Sequence, residues 1–251
     1  MTANDAATYI SPSQCFEAVM NTQECRASNL SLHDRQEDVH EFLGRLLEHF
    51  EAKVSDNDET LNLLKIFNIS MQSTTVCQRC SYSFARTETL QALALHFPRG
   101  CNEDAPESPS RVVHINTLIQ NFFGVEKLPE HFCLPCGFTG ATEKKYYISK
   151  APELLVLQLS RFAGGLVKIQ THVEFTMELS TACLRDENGE QITYRLTGMI
   201  THKGYSIAAG HYIAYVLIDG DWYEANDECV RLVSWPTVRS LQAYMLIYQS
   251  Q

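Results

Sequence analysis

His211-Tyr212-Ile213-Ala214-Tyr215-Val216-Leu217-Ile218-Asp219-Gly220-Asp221-Trp222-Tyr223-Glu224-Ala225 reads as two strands joined by a tight turn. The run from His211 to Ile218 and the run from Trp222 to Ala225 are rich in aromatic and β-branched residues. Asp219-Gly220 between them supplies the residue types that a two-residue hairpin turn requires. Other strand-like runs lie upstream and downstream: Thr74 to Cys77, Phe84 to Leu95, Tyr146 to Ser149, Leu154 to Phe162, Val173 to Leu179, Tyr194 to His202, and Ala243 to Tyr248. The chain before them has a different texture, and roughly its first 65 residues read as helical. From Gln36 to Glu51 the apolar positions are Val39, Phe42, Leu43, Leu46, Leu47 and Phe50, whose spacings of three and four share one helix face. Asp34 and Glu37 are placed to form a capping box for that helix. Ser11-Pro12-Ser13 opens a shorter helix with Phe16, Val19 and Met20 inward, and Val113 to Phe123 is expected to be another. Ala52 to Thr60 and Arg99 to Ser110 are polar and read as loops. Helices first and an antiparallel sheet system after make an α+β protein.

Composition narrows the function. The 251 residues carry 20 lysines and arginines against 30 aspartates and glutamates, a formal net charge of −10. Hydrophobic residues are 45 %, which excludes intrinsic disorder and collagen-like sequence. The acidic balance speaks against a general nucleic-acid binder, which needs a positive face to displace counterions. Apolar runs such as Leu154 to Leu157 fall far short of the roughly 20 residues that span a bilayer. The N-terminal MTANDAATYISPSQ has neither the basic region nor the apolar stretch of a secretory signal. A reducing compartment, cytoplasmic and/or nuclear, is therefore expected. No nucleic acid and no membrane are expected as partners, and the oligomeric state is not legible.

Nine cysteines, an odd number, argue against a disulfide framework in such a compartment. Four form two C-x-x-C pairs, Cys77 with Cys80 and Cys133 with Cys136, while Cys15, Cys25, Cys101, Cys183 and Cys229 are scattered. Each pair can present two thiolates from a tight knuckle, and four thiolates in tetrahedral array suit zinc. Residues 81–132 separate the pairs, so the knuckles are expected at the ends of neighbouring hairpins that meet in space. Four protein thiolates leave no open coordination position, which makes such a metal structural. Four unrelated thiols, two of them redox-active, are the alternative.

Gly210-His211-Tyr212 is followed by Asn226-Asp227. A histidine near the start of one strand and an amide or carboxylate just beyond the next can meet across an antiparallel hairpin. The amide then holds one ring nitrogen and leaves the other free to act as a base. From the residues alone an ordinary structural hydrogen bond is the commoner reading of such a pair. Gln36-Glu37-Asp38-Val39-His40-Glu41-Phe42-Leu43 is polar on one helix face and by itself reads as a solvated face.

Together these segments resemble the ubiquitin-specific protease family of deubiquitinases. Gln36 to Leu43 is similar to its Q-Q-D-x-H-E-F-L box, with Glu37 in place of the second glutamine. The cysteine pairs match its zinc-bearing fingers, and Pro152 to Phe162 is similar to its P-x-L-x-x-x-L-x-R-F strand. Tyr194 to Gly204, Gly210 to Tyr212 and Trp222 to Asp227 resemble its histidine box, and Ala243 to Tyr248 its closing strand. The resemblance runs in family order from about Ser11 to the C-terminus. It implies a papain-like cysteine peptidase fold with a partial helical thumb in residues 1–65, zinc-bearing fingers in 66–150 and a palm with the histidine box in 151–251. It implies thiol-dependent hydrolysis of peptide and isopeptide bonds at the C-terminus of ubiquitin, with ubiquitin and ubiquitinated proteins as partners. His211 is then the general base, Asn226 its orienting partner and Asp227 a neighbouring acid that assists. Asp38 and Glu41 match positions that contact the basic ubiquitin tail. His40 is read as a structural hydrogen-bonder, and Gly204 to Gly210 as a mobile loop over that tail. Zinc on Cys77, Cys80, Cys133 and Cys136 is the implied structural cofactor.

One part of the family pattern is missing. The nucleophilic cysteine of the family lies in a box G-N-T-C-Y-x-N-S at the start of a helix, and no such box occurs in this sequence. Cys15, in Ser11-Pro12-Ser13-Gln14-Cys15-Phe16, matches instead a family S-P-x-x-F segment, and Cys25 has no recognisable context. Cys229 reads as a packing residue. The sequence is therefore expected to be an incomplete form of an active enzyme, the alternative being a catalytically dead, ubiquitin-binding pseudoenzyme or scaffold. A zinc-ribbon nucleic-acid binder would need basic and aromatic residues around the knuckles, where Lys144-Lys145 is the nearby basic pair. Metal-catalysed hydrolysis lacks an H-E-x-x-H or a comparable open site.

Overall fold

Leu154-Leu-Val-Leu-Gln-Leu159 is apolar on both strand faces, the pattern of a strand covered on both sides. The structure, a computed structural model, places it inside the larger of its sheets, one strand in from an edge, and describes residues 38–53, 64–98, 101, 112–162, 168–185, 189–206 and 209–251. The strands in chain order are β1 (Ile69–Cys77), β2 (Ser83–Leu90), β3 (Leu93–Leu95), β4 (Val112–His114), β5 (Glu126–Leu128), β6 (Phe132–Cys133), β7 (Phe138–Thr139), β8 (Thr142–Lys150), β9 (Leu154–Leu159), β10 (His172–Glu174), β11 (Glu178–Arg185), β12 (Gln191–Ser206), β13 (Ala209–Ile218), β14 (Asp221–Asn226), β15 (Cys229–Val233) and β16 (Ala243–Ser250). The described helices are α1 (Val39–Lys53), α2 (Ile115–Phe122) and α3 (Trp235–Arg239).

The large sheet runs β15-β14-β13-β12-β16-β9-β3, with β11 also paired to β12. Its two faces serve two cores. Leu155, Leu157 and Leu159 of β9 join Leu246 and Tyr248 of β16, Ile69, Met71 and the buried face of α2. Val156 and Met245 point the other way, where Val39 and Leu43 of α1 pack over them. The second sheet, β2-β1-β8-β5, lies within the stretch read as fingers. Strict alternation of burial along β1 shows one face turned inward and the other toward solvent. Arg161, just beyond β9, is fully buried and has no carboxylate partner among the described residues. It donates instead to the carbonyls of Ala243, Ile169 and Thr171 at 2.6, 2.9 and 2.9 Å, tying β16 to the segment leading into β10.

Several boundaries differ from the sequence reading. Helix α1 begins at Val39, where the Asp38 carboxylate accepts from the His40 and Glu41 amides at 2.8 and 3.2 Å and so provides the cap. Asp34, Glu37 and the Ser11 helix lie outside the described residues. Phe84 to Leu95 is broken into β2 and β3, Val173 to Leu179 into β10 and β11, and Val113 to Phe123 into β4 and α2. The sheets are not wholly antiparallel: β3 runs parallel to β9 and β4 parallel to β10. A parallel pair needs a long crossover, and the fingers excursion between β3 and β9 supplies one. Strand β3 thus belongs to the palm sheet although it falls inside the stretch read as fingers. Gly204 to Gly210, read as a loop, is drawn into β12 as far as Ser206 and into β13 from Ala209. Among the described residues, no helix is long and apolar enough to cross a membrane.

Candidate active site and cysteine cluster

The hairpin of β13 and β14 builds the first site. Its register pairs Ala214 with Ala225 and Tyr215 with Glu224, which brings Asn226, the last residue of β14, to His211 near the start of β13. His211 Nε2 lies 2.6 Å from Asn226 Oδ1. That oxygen accepts, so Nε2 carries the proton and Nδ1 keeps its lone pair. Asp227 Oδ2 is 3.6 Å from the same Nε2. Asp227 adopts a left-handed backbone (φ 53°) in the two-residue turn to β15, a conformation that a short polar side chain tolerates. The ring remains 42 % exposed, so a substrate can reach it. An imidazole fixed at Nε2 and open at Nδ1 can take and return a proton at Nδ1.

Gly210 precedes this histidine for a steric reason. A Cβ there would sit 2.1 Å from His202 Nε2 and 2.6 Å from the Lys203 carbonyl. His202 itself is buried beside Phe162, Tyr212 and Tyr244. Burial, then the Lys168 ammonium, hold its imidazole below the ordinary 6.5, while Asp38 opposes them. Lys168 donates from Nζ to the His202 carbonyl and is itself lowered to about 8, by burial first and then by Arg161. His172 is lowered in the same way, by burial and by Arg161. In the unfolded chain these histidines take up protons near 6.5, whereas the folded chain resists, so stability falls as pH drops through that value. The slope for one such histidine is at most about 1.4 kcal/mol per pH unit. Denaturant unfolding at pH 7.5 and pH 5.5 is expected to show this loss, and His202→Gln to reduce it. A pH-independent midpoint across that window would refute the assignment.

Asp38 is placed on the same side of the sheet. Besides capping α1, its Oδ2 accepts from the Tyr244 hydroxyl and, at 3.4 Å, from that of Tyr212, the residue after His211. One carboxylate thus joins the start of α1 to β13 and β16. Glu41 is exposed, with its carboxylate 3.9 Å from Arg45. The two acids lie on the same first turn of α1, but all the bonding seen at Asp38 is internal, a role that the helical pattern alone did not reveal.

The second site is at the fingertips. Cys77 ends β1 and Cys80 lies in the turn to β2, while Cys133 ends β6 and Cys136 lies in the turn to β7. The knuckles therefore sit on two hairpins, as the spacing implied. All four sulfurs lie within 4.8 Å of one another, a group that could hold a metal ion. Two of the separations are 3.8 Å (Cys77 to Cys136) and 3.7 Å (Cys80 to Cys133). A regular tetrahedron with metal–sulfur bonds of about 2.3 Å has edges of about 3.8 Å, so the cradle fits. Backbone N–H groups, that of Cys80 foremost, hold the Cys77 thiol down at about 6, whereas burial and the neighbouring sulfurs push Cys133 up to about 12. A cation is what would let all four ionise together.

The remaining cysteines do not join either site. Cys15 and Cys25 lie outside the described residues, and among the described residues no cysteine is hydrogen-bonded to His211. Cys229, expected to pack, is exposed, because β15 is the edge of the sheet.

Comparison with known proteins agrees with this arrangement. The sequence model of the family "Ubiquitin carboxyl-terminal hydrolase" matches residues 1–248. Human ubiquitin carboxyl-terminal hydrolase 3 is 27 % identical over 85 % of this chain and 48 % of its own length. Ubiquitin carboxyl-terminal hydrolase 23 of Arabidopsis thaliana is 30 % identical over 85 % of this chain and 25 % of its own. The chain thus spans about half or less of the length of these relatives. Among solved structures, the Ubp8-containing SAGA DUB module bound to monoubiquitin superposes with a TM-score of 0.69 at 26 % identity, covering 86 % of this chain and 49 % of that one. The same module bound to ubiquitin aldehyde gives 0.66 at 26 % identity over 86 % and 50 %. Sequence, hairpin geometry and cysteine cradle converge: the chain belongs to the ubiquitin carboxyl-terminal hydrolase family and has the papain-like fold of its ubiquitin-specific protease type.

Proposed function

We propose that this chain carries the base, the ubiquitin grip and the structural zinc of a deubiquitinase that hydrolyses peptide and isopeptide bonds at the ubiquitin C-terminus. The observation that carries the reading is the 2.6 Å bond from His211 Nε2 to Asn226 Oδ1, which fixes the tautomer and leaves Nδ1 as the acceptor. In the proposed cycle a cysteine thiol gives its proton to Nδ1 and its sulfur attacks the carbonyl of the ubiquitin C-terminal residue. Nδ1 then protonates the leaving amine, and a thioester remains. Water attacks the thioester, its proton passes to Nδ1 and on to the departing thiolate, and ubiquitin leaves as a free acid. Asp227, 3.6 Å from Nε2, stabilises the imidazolium at each protonated stage. Asp38 and Glu41 are assigned to the approach of the basic ubiquitin tail, Glu41 through its exposed carboxylate. Zinc, held by Cys77, Cys80, Cys133 and Cys136, cross-links the two finger hairpins. Unpaired thiolates of this kind suit a reducing compartment, the cytoplasm or nucleus.

The thiol step is not assigned to any cysteine in these 251 residues, which contain no cysteine box. The same absence favours the second reading, a ubiquitin-binding scaffold without turnover. Against it stand the His211–Asn226 bond and the Asp227 approach, for which a scaffold has no chemical need. The first test is incubation of the chain with ubiquitin bearing a thiol-reactive C-terminal electrophile, read by intact mass, with calorimetry against plain ubiquitin alongside. Measurable binding and no adduct are expected. An adduct mapped to Cys15, Cys25 or Cys229 would overturn the incomplete-enzyme reading, and absence of binding would overturn the ubiquitin grip.

A further inference from the structure

Glu224 is a buried acid on the inward face of β14, two residues from the buried Trp222. It is 7 % exposed, between Trp222 and Asn226 on β14. Strand geometry puts Trp222, Glu224 and Asn226 on one face. Glu224 is directly opposite Tyr215 on β13 and Arg231 on β15. Tyr215 donates its hydroxyl to Glu224 Oε2 at 2.9 Å, and Arg231 places a guanidinium nitrogen 2.8 Å from Oε1. Both carboxylate oxygens are thus engaged, one from each neighbouring strand. Arg231 holds the carboxyl below its usual range, with the Tyr215 hydroxyl helping, and burial plus Glu224 push the Tyr215 phenol up to about 12. The result is a polar rung laid across three strands of the sheet.

That rung lies next to the site. Tyr215 and His211 are four residues apart on β13 and face the same side, as do Glu224 and Asn226 two residues apart on β14. On β15, Arg231 is two residues from Cys229, which pairs with Asn226 to close the turn that holds Asp227. The His211–Asn226 contact depends wholly on the register of these strands. A two-residue slip of β14 keeps every side chain on its face yet moves Asn226 by about 7 Å. Val230 and Leu232 on β15 are 66 % and 64 % exposed, so the apolar packing of this edge hairpin is concentrated at its far end, in Trp222 and Val233, and not beside Asn226. A buried carboxylate that loses its cation is costly, and only the native register satisfies this one.

We propose that Tyr215, Glu224 and Arg231 are positioning residues that lock the β13–β14–β15 register and thereby hold Asn226 on His211 Nε2. The proposal rests on the reading of His211 as base and Asn226 as its partner. It acts through Asn226 and touches no substrate.

The test is nitrogen-15 NMR of the histidine side chains in the full chain, comparing wild type with Arg231→Ala and Arg231→Lys. His211→Ala assigns the signals, and Asn226→Ala gives the spectrum of a lost contact. Wild type is expected to show the Nε2-protonated tautomer with a hydrogen-bonded Nε2 proton. Arg231→Ala is expected to lose that proton signal and to approach the Asn226→Ala spectrum, and Arg231→Lys to regain it. A lower melting temperature with an unchanged His211 spectrum in Arg231→Ala would overturn the proposal. If Arg231→Ala does not fold, Glu224→Gln is read by the same criterion, since it keeps the size and an acceptor for Tyr215. Failure of the underlying reading is distinct, because then the Nε2 bond to Asn226 would already be missing in wild type.

Discussion

Replacing His211 by alanine, in a version of the chain joined to the family's cysteine box, is expected to lower kcat by about 1000-fold while leaving ubiquitin affinity unchanged. General acid–base groups contribute about 100- to 10,000-fold. His211 is asked to do this twice per turnover, once for the thiol proton and once for water. It sits at the end of a hairpin, 42 % exposed, and buries little surface whose loss would disturb the sheet. Asn226→Ala is expected to cost less, because the ring remains and only its orientation and tautomer are released. The comparison is steady-state hydrolysis of a ubiquitin amide together with calorimetric affinity for ubiquitin. Retained turnover in His211→Ala would remove His211 from the mechanism. Lost affinity with normal turnover would make it a binding residue instead. The same joined chain decides between the two functional readings, since a scaffold would not gain turnover from an added cysteine box.

Cys77→Ser or Cys136→Ser is expected to reduce bound zinc from about one equivalent to near zero, to unfold the β6–β7 hairpin and to fray the Cys77 end of β1–β2, whose eight-residue ladder and core residues Ile69 and Met71 hold the rest. Residues 132–139 form only the two-residue strands β6 and β7, too little paired backbone to be stable in water alone. Exposed Phe132, Leu134 and Phe138 add little burial there. Metal binding in small zinc-dependent folds is worth about 10–16 kcal/mol, and most of the order of these knuckles would come from it. The palm core, built on β9, β16 and α2, should survive. Elemental analysis gives the metal content, and hydrogen exchange of residues 77–84 and 131–139 against β9 and β16 gives the local stability. Cys229→Ser, outside the cluster, should leave both unchanged. Wild-type chain free of zinc after gentle purification would end the metal assignment.

Short-range pattern determined much of this protein. The apolar run at β9, the Asp219-Gly220 turn and the three-and-four spacing along α1 each follow from backbone period and local sterics. Paired C-x-x-C knuckles and a histidine placed one hairpin away from Asn226-Asp227 carry their chemistry in residue type and spacing, so both candidate sites were legible. Tertiary structure decided the rest. The parallel entry of β3 beside β9 depends on a crossover through the fingers, which no strand pattern encodes. Asp38 gains its cap and tyrosine bonds only when α1 docks on β13 and β16, far away in sequence. The β14–β15 turn needs a left-handed Asp227, which the residue tolerates but does not announce. Glu224 reads as one acid on a strand until Tyr215 and Arg231 arrive from both sides. Hydrophobic period sets which face a side chain occupies; the partner across the strand is set by register, and register is a property of the assembled sheet.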